Sequence, residues 1–183
     1  MNLSTYLLSL LFLSVYSPQE GEYQHLIGTK AKAWEVETWI NSESVLLEDL
    51  QGKVVLIRWW TGPYCPYCIN SSTALNLWHE KYYDKGFRVI GMYHHKSRRP
   101  FDQDFVEALA DKMQFAFPIG IDSGWKNLKK WWLEPVPDAG FTSVSFLLDQ
   151  KGEIVYIHPG GEYVKGDGVY EELEGKIQKL LKK

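Results

Sequence analysis

The clearest pattern in the chain is the run Val54-Val55-Leu56-Ile57-Arg58-Trp59-Trp60, apolar at every position but one. Continuous rather than alternating apolarity predicts a central strand buried on both faces. Downstream, from Cys65 to about Asp84, Ala74, Leu75, Leu77, Trp78 and Tyr82 recur at helical spacing and stop before Gly86, predicting a helix. Arg88–His94 reads as a second strand, and Phe105, Leu109 and Met113 after Pro100 mark a second helix. A short strand near Phe117–Ile121 and a brief helix near Trp125–Leu133 come next. Val144–Asp149 and Glu153–His158, joined by Gln150-Lys151-Gly152, predict a hairpin, and a last helix places Val169, Leu173, Ile177 and Leu180 on one face. Ahead of the central strand, Trp34–Leu47 with Asn41-Ser42 at its middle predicts a further, leading hairpin. This alternation implies an α/β sandwich with a mixed central sheet flanked by helices.

With 183 residues the chain suits one domain with a sizeable core, and its 8 Trp and 11 Tyr fall largely within the apolar runs, as core residues would. A net charge of −3 argues against a general nucleic-acid binder. The N-terminus carries a separate signal: Tyr6–Tyr16 is apolar apart from Ser9 and Ser14 and too short to span a bilayer comfortably. It reads as the apolar core of an export signal over residues 1–17, or an uncleaved anchor. A buried N-terminal helix is the other reading, since no Lys or Arg precedes the run. Residues 18–27 read as a linker, and 28–183 as the folded domain.

The only two cysteines stand in Cys65-Pro66-Tyr67-Cys68, between the buried strand and the helix. At a helix N-terminus, free backbone N–H groups and the helix dipole favour a thiolate, which makes Cys65 the expected nucleophile, with a pKa lowered into the range of about 3.5–7.5. Cys68, one turn deeper, would resolve a mixed disulfide. Pro66 suits the first turn, where no amide donor is needed. A closed zinc site wants four ligands, and no second cysteine pair exists; a disulfide loop this short restrains little chain entropy. Redox chemistry is the strongest reading, with the dithiol itself as the redox group and no cofactor or metal called for.

Four segments together carry a family resemblance: Gly28-Thr29-Lys30-Ala31-Lys32-Ala33-Trp34, Leu50-Gln51-Gly52-Lys53-Val54-Val55-Leu56-Ile57, the cysteine motif, and Phe146-Leu147-Leu148-Asp149-Gln150-Lys151-Gly152-Glu153-Ile154. Over about Gly28 to Lys182 the chain resembles the TlpA-like, exported branch of the thioredoxin-fold redoxins. The resemblance implies a thioredoxin-like sandwich, exchange of a disulfide with protein dithiol or disulfide substrates outside the cytoplasm, and a membrane or extracytoplasmic electron donor. It also implies supporting roles around Cys65 and Cys68 for Pro66, Tyr67, Trp60 and the Thr142-Ser143 pair.

Departures from the family pattern are specific. Ser143 stands where the family usually has a cis-proline facing the dithiol. A non-proline cis bond costs about 2.5–4 kcal/mol, so the peptide before Ser143 is expected to be trans. Arg58 occupies the strand position of the thioredoxins' buried acid, Ser71 the helix position where some TlpA-like reductases carry a glutamate, and one extra residue separates Trp60 from Cys65. A replacement lies in His94-His95-Lys96-Ser97-Arg98-Arg99-Pro100: loops after neighbouring parallel strands emerge at one edge, so His94 and His95 should approach Cys65 and could supply a proton shuttle or a positive field. A merely solvated loop is the alternative. His79 and His158 have no nearby motif and read as structural. Two further functions compete: a peroxiredoxin-like thiol peroxidase, for which Thr61 and Arg58 are weak substitutes, and a copper- or zinc-carrying protein using the two thiolates with a histidine.

Overall fold

The computed structural model describes residues 19–183. The apolar run Tyr6–Tyr16 and the expected export signal lie outside the described residues. The sheet has six strands: β1 (Trp39–Ile40), β2 (Val54–Trp60), β3 (Phe87–Tyr93), β4 (Ile119–Ile121), β5 (Ser145–Leu148) and β6 (Ile154–His158). Their spatial order is β1-β4-β3-β2-β5-β6. β2 pairs parallel with β3 and antiparallel with β5, which makes it the central strand of a mixed sheet. All seven of its residues are buried.

Strand alternation divides these residues between two cores. Val54, Leu56 and Trp60 face a layer built from α2 (Pro66–Tyr82), α3 (Gln103–Lys112) and α5 (Gly168–Leu181). Val55, Ile57 and Trp59 face the other side, closed by Leu128, Trp131 and Trp132 from α4 (Lys126–Leu128) and the π-turn Lys129–Leu133 that follows it. Most of the tryptophans gather here, and Trp59, Trp131 and Phe146 pack mutually at 5.4–5.7 Å between ring centroids. Asp122 joins the two parts of this layer. Its buried carboxylate accepts from Trp59 Nε1 at 3.0 Å and from the backbone amides of Asn127 and Leu128 at 2.7 and 2.8 Å, so it caps α4 and anchors β2 at once.

The α/β sandwich and the hairpin β5–β6 follow the apolar pattern closely, and three expectations are corrected. The leading hairpin does not form. Trp39 and Ile40 pair antiparallel with Gly120 and Ile119, while Trp34 reaches Val45 through its indole N–H, 2.8 Å from the carbonyl, and not through a strand ladder. Asn41 turns the chain at φ 64° and holds Phe115 C=O with its amide at 2.7 Å. The leading segment instead braces both edges of the sheet, since Gly28 and Ala31 donate backbone bonds to Ile154 and Gly152 at the β6 edge.

Residues 19–27 are not a free linker. A short helix α1 (Gln19–Glu22) leads into Tyr23 and Leu26, which are buried, Tyr23 lying 5.8 Å from the Trp132 ring. On α3 the inward face is Val106, Leu109 and Ala110, and Phe105 points outward; on α5 Val169 packs half-buried against the core, with Tyr170 buried beside it. Among the described residues, no helix is long and apolar enough to cross a membrane.

Candidate active site

β2 ends at Trp60, four residues of loop follow, and Cys65 caps α2. Cys65 has extended backbone angles and its Sγ accepts the Cys68 amide at 3.2 Å, the place an aspartate or serine oxygen takes at an ordinary helix start. Pro66 occupies the first helical position, where the missing amide costs nothing. The two sulfurs are joined as a disulfide with Cα atoms 5.3 Å apart. Cys65 is half-buried and Cys68 buried, the asymmetry expected of an attacking and a resolving thiol. A 17-residue helix directs its dipole and an amide at Cys65, so a thiolate is favoured there when the pair is reduced.

Cys65 lies in the wall of a cleft of about 1090 Å³, together with Pro66, Tyr67, Thr142 and Ser143. No cis peptide occurs among the described residues, so the bond before Ser143 is trans. The loop after β3 reaches the same cleft through His95, Lys96, Ser97 and Arg99. His94 does not enter it. That ring is fully buried, its Nε2 bonds Thr142 Oγ1 at 2.9 Å, and its edge meets Trp125 at 5.1 Å. Burial, aided by the charges of Lys96 and Arg58, pushes its pKa down to about 4. The expected positive field from His94 is therefore corrected: a neutral imidazole props the Thr142-Ser143 ledge from behind.

His95 is wired differently. Its Nε2 meets the Arg99 carbonyl at 2.7 Å, and because a carbonyl only accepts, Nε2 carries the proton; in the neutral ring Nδ1 then accepts from the Tyr93 hydroxyl at 3.1 Å. Trp60 backs the site from the core, edge-on to Tyr93 and Phe115 at 5.0 and 5.3 Å.

Arg58 is the unusual group. Only 1% exposed, it donates to Ser145 Oγ at 3.2 Å and Gly161 C=O at 2.7 Å and lies 5.0 Å from the Tyr163 ring centroid. These partners are all neutral, and burial lowers its pKa from the ordinary arginine range. The Tyr163 amide in turn donates to Ser71 Oγ at 3.2 Å, one helical turn after Cys68 on the buried face of α2. A buried cation thus lies beneath the helix that carries Cys68, which turns the Ser71 hydroxyl towards it on its buried face. His158 flanks the same group, 5.5 Å from Tyr163, and its pKa is also pushed to about 4, by burial first and then by Arg58.

Of the two residues named for a peroxidase, Thr61 lines the cleft and Arg58 is directed into the core. Among the described residues, no group of three His, Cys, Asp or Glu side chains converges to hold a metal. Sequence reasoning missed Tyr93, Phe101, Phe105 and Phe141 in the cleft. Phe141, two residues before Ser143, carried a usable signal; Phe105 was hidden by its helical spacing from Leu109.

The sequence profile of the AhpC/TSA family matches residues 27–157. The thiol-disulfide oxidoreductase ResA of Bacillus cereus is 29% identical over 145 residues, covering 79% of this chain and 73% of that protein. Among solved structures, the thioredoxin domain of a thiol-disulfide oxidoreductase from Bacteroides vulgatus superposes with a TM-score of 0.58 at 26% identity, over 82% of this chain and 97% of that one. A thiol-disulfide isomerase from Corynebacterium glutamicum gives a TM-score of 0.67 at 24% identity, over 85% and 97%. The fold is thioredoxin-like.

The buried histidines make stability depend on pH. His94 and His158 resist protonation when folded, near pH 4, whereas an unfolded histidine protonates near 6.5. Between those values the unfolded state binds more protons, so stability falls as pH drops, by up to about 3 kcal/mol per histidine at the acid end. Urea unfolding from pH 7 to 4 should show this decline, and a His94→Gln/His158→Gln variant should show a shallower one. Parallel pH dependences would remove the two rings from the account.

Proposed function

Because this chain belongs to the AhpC/TSA family and its fold presents a Cys65–Cys68 pair at a helix N-terminus, we propose that it exchanges disulfides with protein substrates through those two residues. The protein is a thiol-disulfide oxidoreductase. The observation that carries the residue assignment is the Cys68 amide on Cys65 Sγ, which favours a thiolate at the more accessible sulfur.

In the reducing direction the Cys65 thiolate attacks a substrate disulfide. A bond forms between Cys65 and one substrate sulfur, and the other sulfur leaves and takes a proton. Cys68, losing its proton, then attacks Cys65 Sγ, closes the internal disulfide and releases the second substrate thiol. Two electrons pass to the substrate, and the reverse sequence oxidises a dithiol. Thr142 and Ser143, braced by His94, form the ledge opposite Cys65 on which a substrate backbone rests. Tyr67 and His95 shape the cleft beside it.

We place this activity outside the cytoplasm, with residues 1–17 as export signal or anchor and a membrane or extracytoplasmic electron donor; the apolar run Tyr6–Tyr16 supports this reading. An oxidising compartment requires such a donor if the pair is to act as a reductant.

Three outcomes are expected. Cys65→Ser should abolish reaction with disulfides, while Cys68→Ser should trap a mixed disulfide visible by mass spectrometry; equal alkylation rates of the two reduced thiols would refute the assignment. Alkaline phosphatase fused after residue 28 should be active in a bacterial host, and an inactive fusion would withdraw the export reading. Finally, a buried cation favours thiolates and hence the reduced pair, so Arg58→Met should lower the reduction potential, by about 30 mV for each 1.4 kcal/mol of lost stabilisation. An unchanged potential would leave Arg58 a packing residue.

A further inference from the structure

Ten large hydrophobic side chains stand exposed on the described residues, and five of them, Tyr64, Tyr67, Phe101, Phe105 and Phe141, line the one cleft that contains Cys65. All five are aromatic. Scattered apolar residues need no explanation, but a cluster of rings gathered round a reactive sulfur marks a binding surface.

The cluster is built rather than incidental. Asp102 caps α3 by accepting the Phe105 amide at 3.3 Å, which starts the helix so that Val106 turns into the core and Phe105 outward, 46% exposed. Phe101, just before the cap, rests against His95 and Tyr93 at 6.0 and 6.4 Å. These rings form one wall. Phe141 forms the other, meeting Tyr67 edge-on at 5.7 Å. Its position depends on Gly160, at φ +144°, where any Cβ would overlap the Phe141 side chain.

The charge of the lining is positive on balance. Lys96 and Arg99 line the cleft and are exposed, against one acid among the lining residues, Asp102, which is turned to the α3 cap. The volume, about 1090 Å³, far exceeds one side chain and suits a short stretch of extended polypeptide.

We propose that this cleft selects the sulfur substrate: a polypeptide segment whose reacting cysteine is flanked by an aromatic or large aliphatic side chain, seated between the two ring walls, and by an acidic side chain meeting Lys96 and Arg99. The inference rests on the oxidoreductase reading and adds its substrate class. A cysteine here must present sulfur to Cys65, rings exposed to water gain by covering an apolar neighbour, and the basic rim supplies the charge complement. Small polar disulfides fill none of these features.

The test uses the reduced full-length protein and short peptides whose single cysteine is held as a mixed disulfide with 2-mercaptoethanol, carrying Glu-Phe-Cys, Glu-Ala-Cys or Lys-Phe-Cys. Glu-Phe-Cys should react on the order of tenfold faster than Glu-Ala-Cys, the factor that burial of one large apolar side chain supports. Glu-Phe-Cys should also outpace Lys-Phe-Cys, with the gap closing at high salt. In a Phe101→Ala/Phe105→Ala variant the Phe-to-Ala ratio should fall towards one, and in Lys96→Gln/Arg99→Gln the Glu-to-Lys ratio should do so. Equal rates for the three peptides in the parent protein, with hydroxyethyl disulfide still reduced, would overturn the selectivity and leave the oxidoreductase reading standing. No reaction with any peptide or with hydroxyethyl disulfide would overturn both.

Discussion

Burial of β2 on both faces is the constraint from which the rest of this structure follows. A seven-residue strand with no solvent face must be paired at both edges and covered by two layers, and here β3 and β5 supply the edges while α2, α3 and α5 cover one face and the α4 segment the other. The strand ends where its burial ends. Four residues later the chain re-enters as α2, and the residue at that re-entry, Cys65, inherits the unpaired amides and dipole of a long helix. The chemistry of the pair is thus a consequence of where the buried strand stops.

The polar groups in the interior show how the chain handles the cost of breaking that apolar rule. Arg58 interrupts the strand, and Ser145, Gly161 and the Tyr163 ring receive its guanidinium without a carboxylate. Such burial is expensive unless each donor finds an acceptor, and the Arg58 Nε has none among the described residues. Asp122 is the opposite case, a buried carboxylate whose oxygens are taken up by an indole and two helix-start amides. The first site leaves a positive charge beneath the dithiol helix, and the second ties the tryptophan-rich layer to the sheet.

Around Cys65 the surface is organised by neighbours from three separate stretches: the loop after β2, the loop after β3 with the start of α3, and the segment Gly140–Ser143 held by Gly160 and His94. The dithiol supplies reactivity that any accessible disulfide would satisfy. Aromatic walls and a basic rim supply discrimination, because an apolar side chain gains by covering the rings and an acidic one by meeting Lys96 and Arg99. Reactivity and selectivity are therefore carried by different parts of the chain.

Elements with a local signal were legible in the residues alone: β2 from an apolar run broken only by Arg58, α2 from helical spacing ended by Gly86, the β5–β6 hairpin from two runs about a short turn, and the redox pair from its two-residue spacing at a strand-to-helix junction. The sequence also exposed Ser143 and Arg58 as departures, since these are identities at fixed positions. Tertiary structure decided what depends on partners distant in the chain. Trp39 and Ile40 joined β4 instead of folding back on their own segment, because the strand edge offered by Ile119–Gly120 was the better ladder once Asn41 had turned the chain away. Phe105 faced the cleft because the cap at Asp102 set the rotation of α3, and His94 became a neutral prop because packing buried its ring and brought it to Thr142, 48 residues on. Periodicity reports which face of an element is apolar, but only the packed neighbours decide whether that face meets the core, the cleft or water.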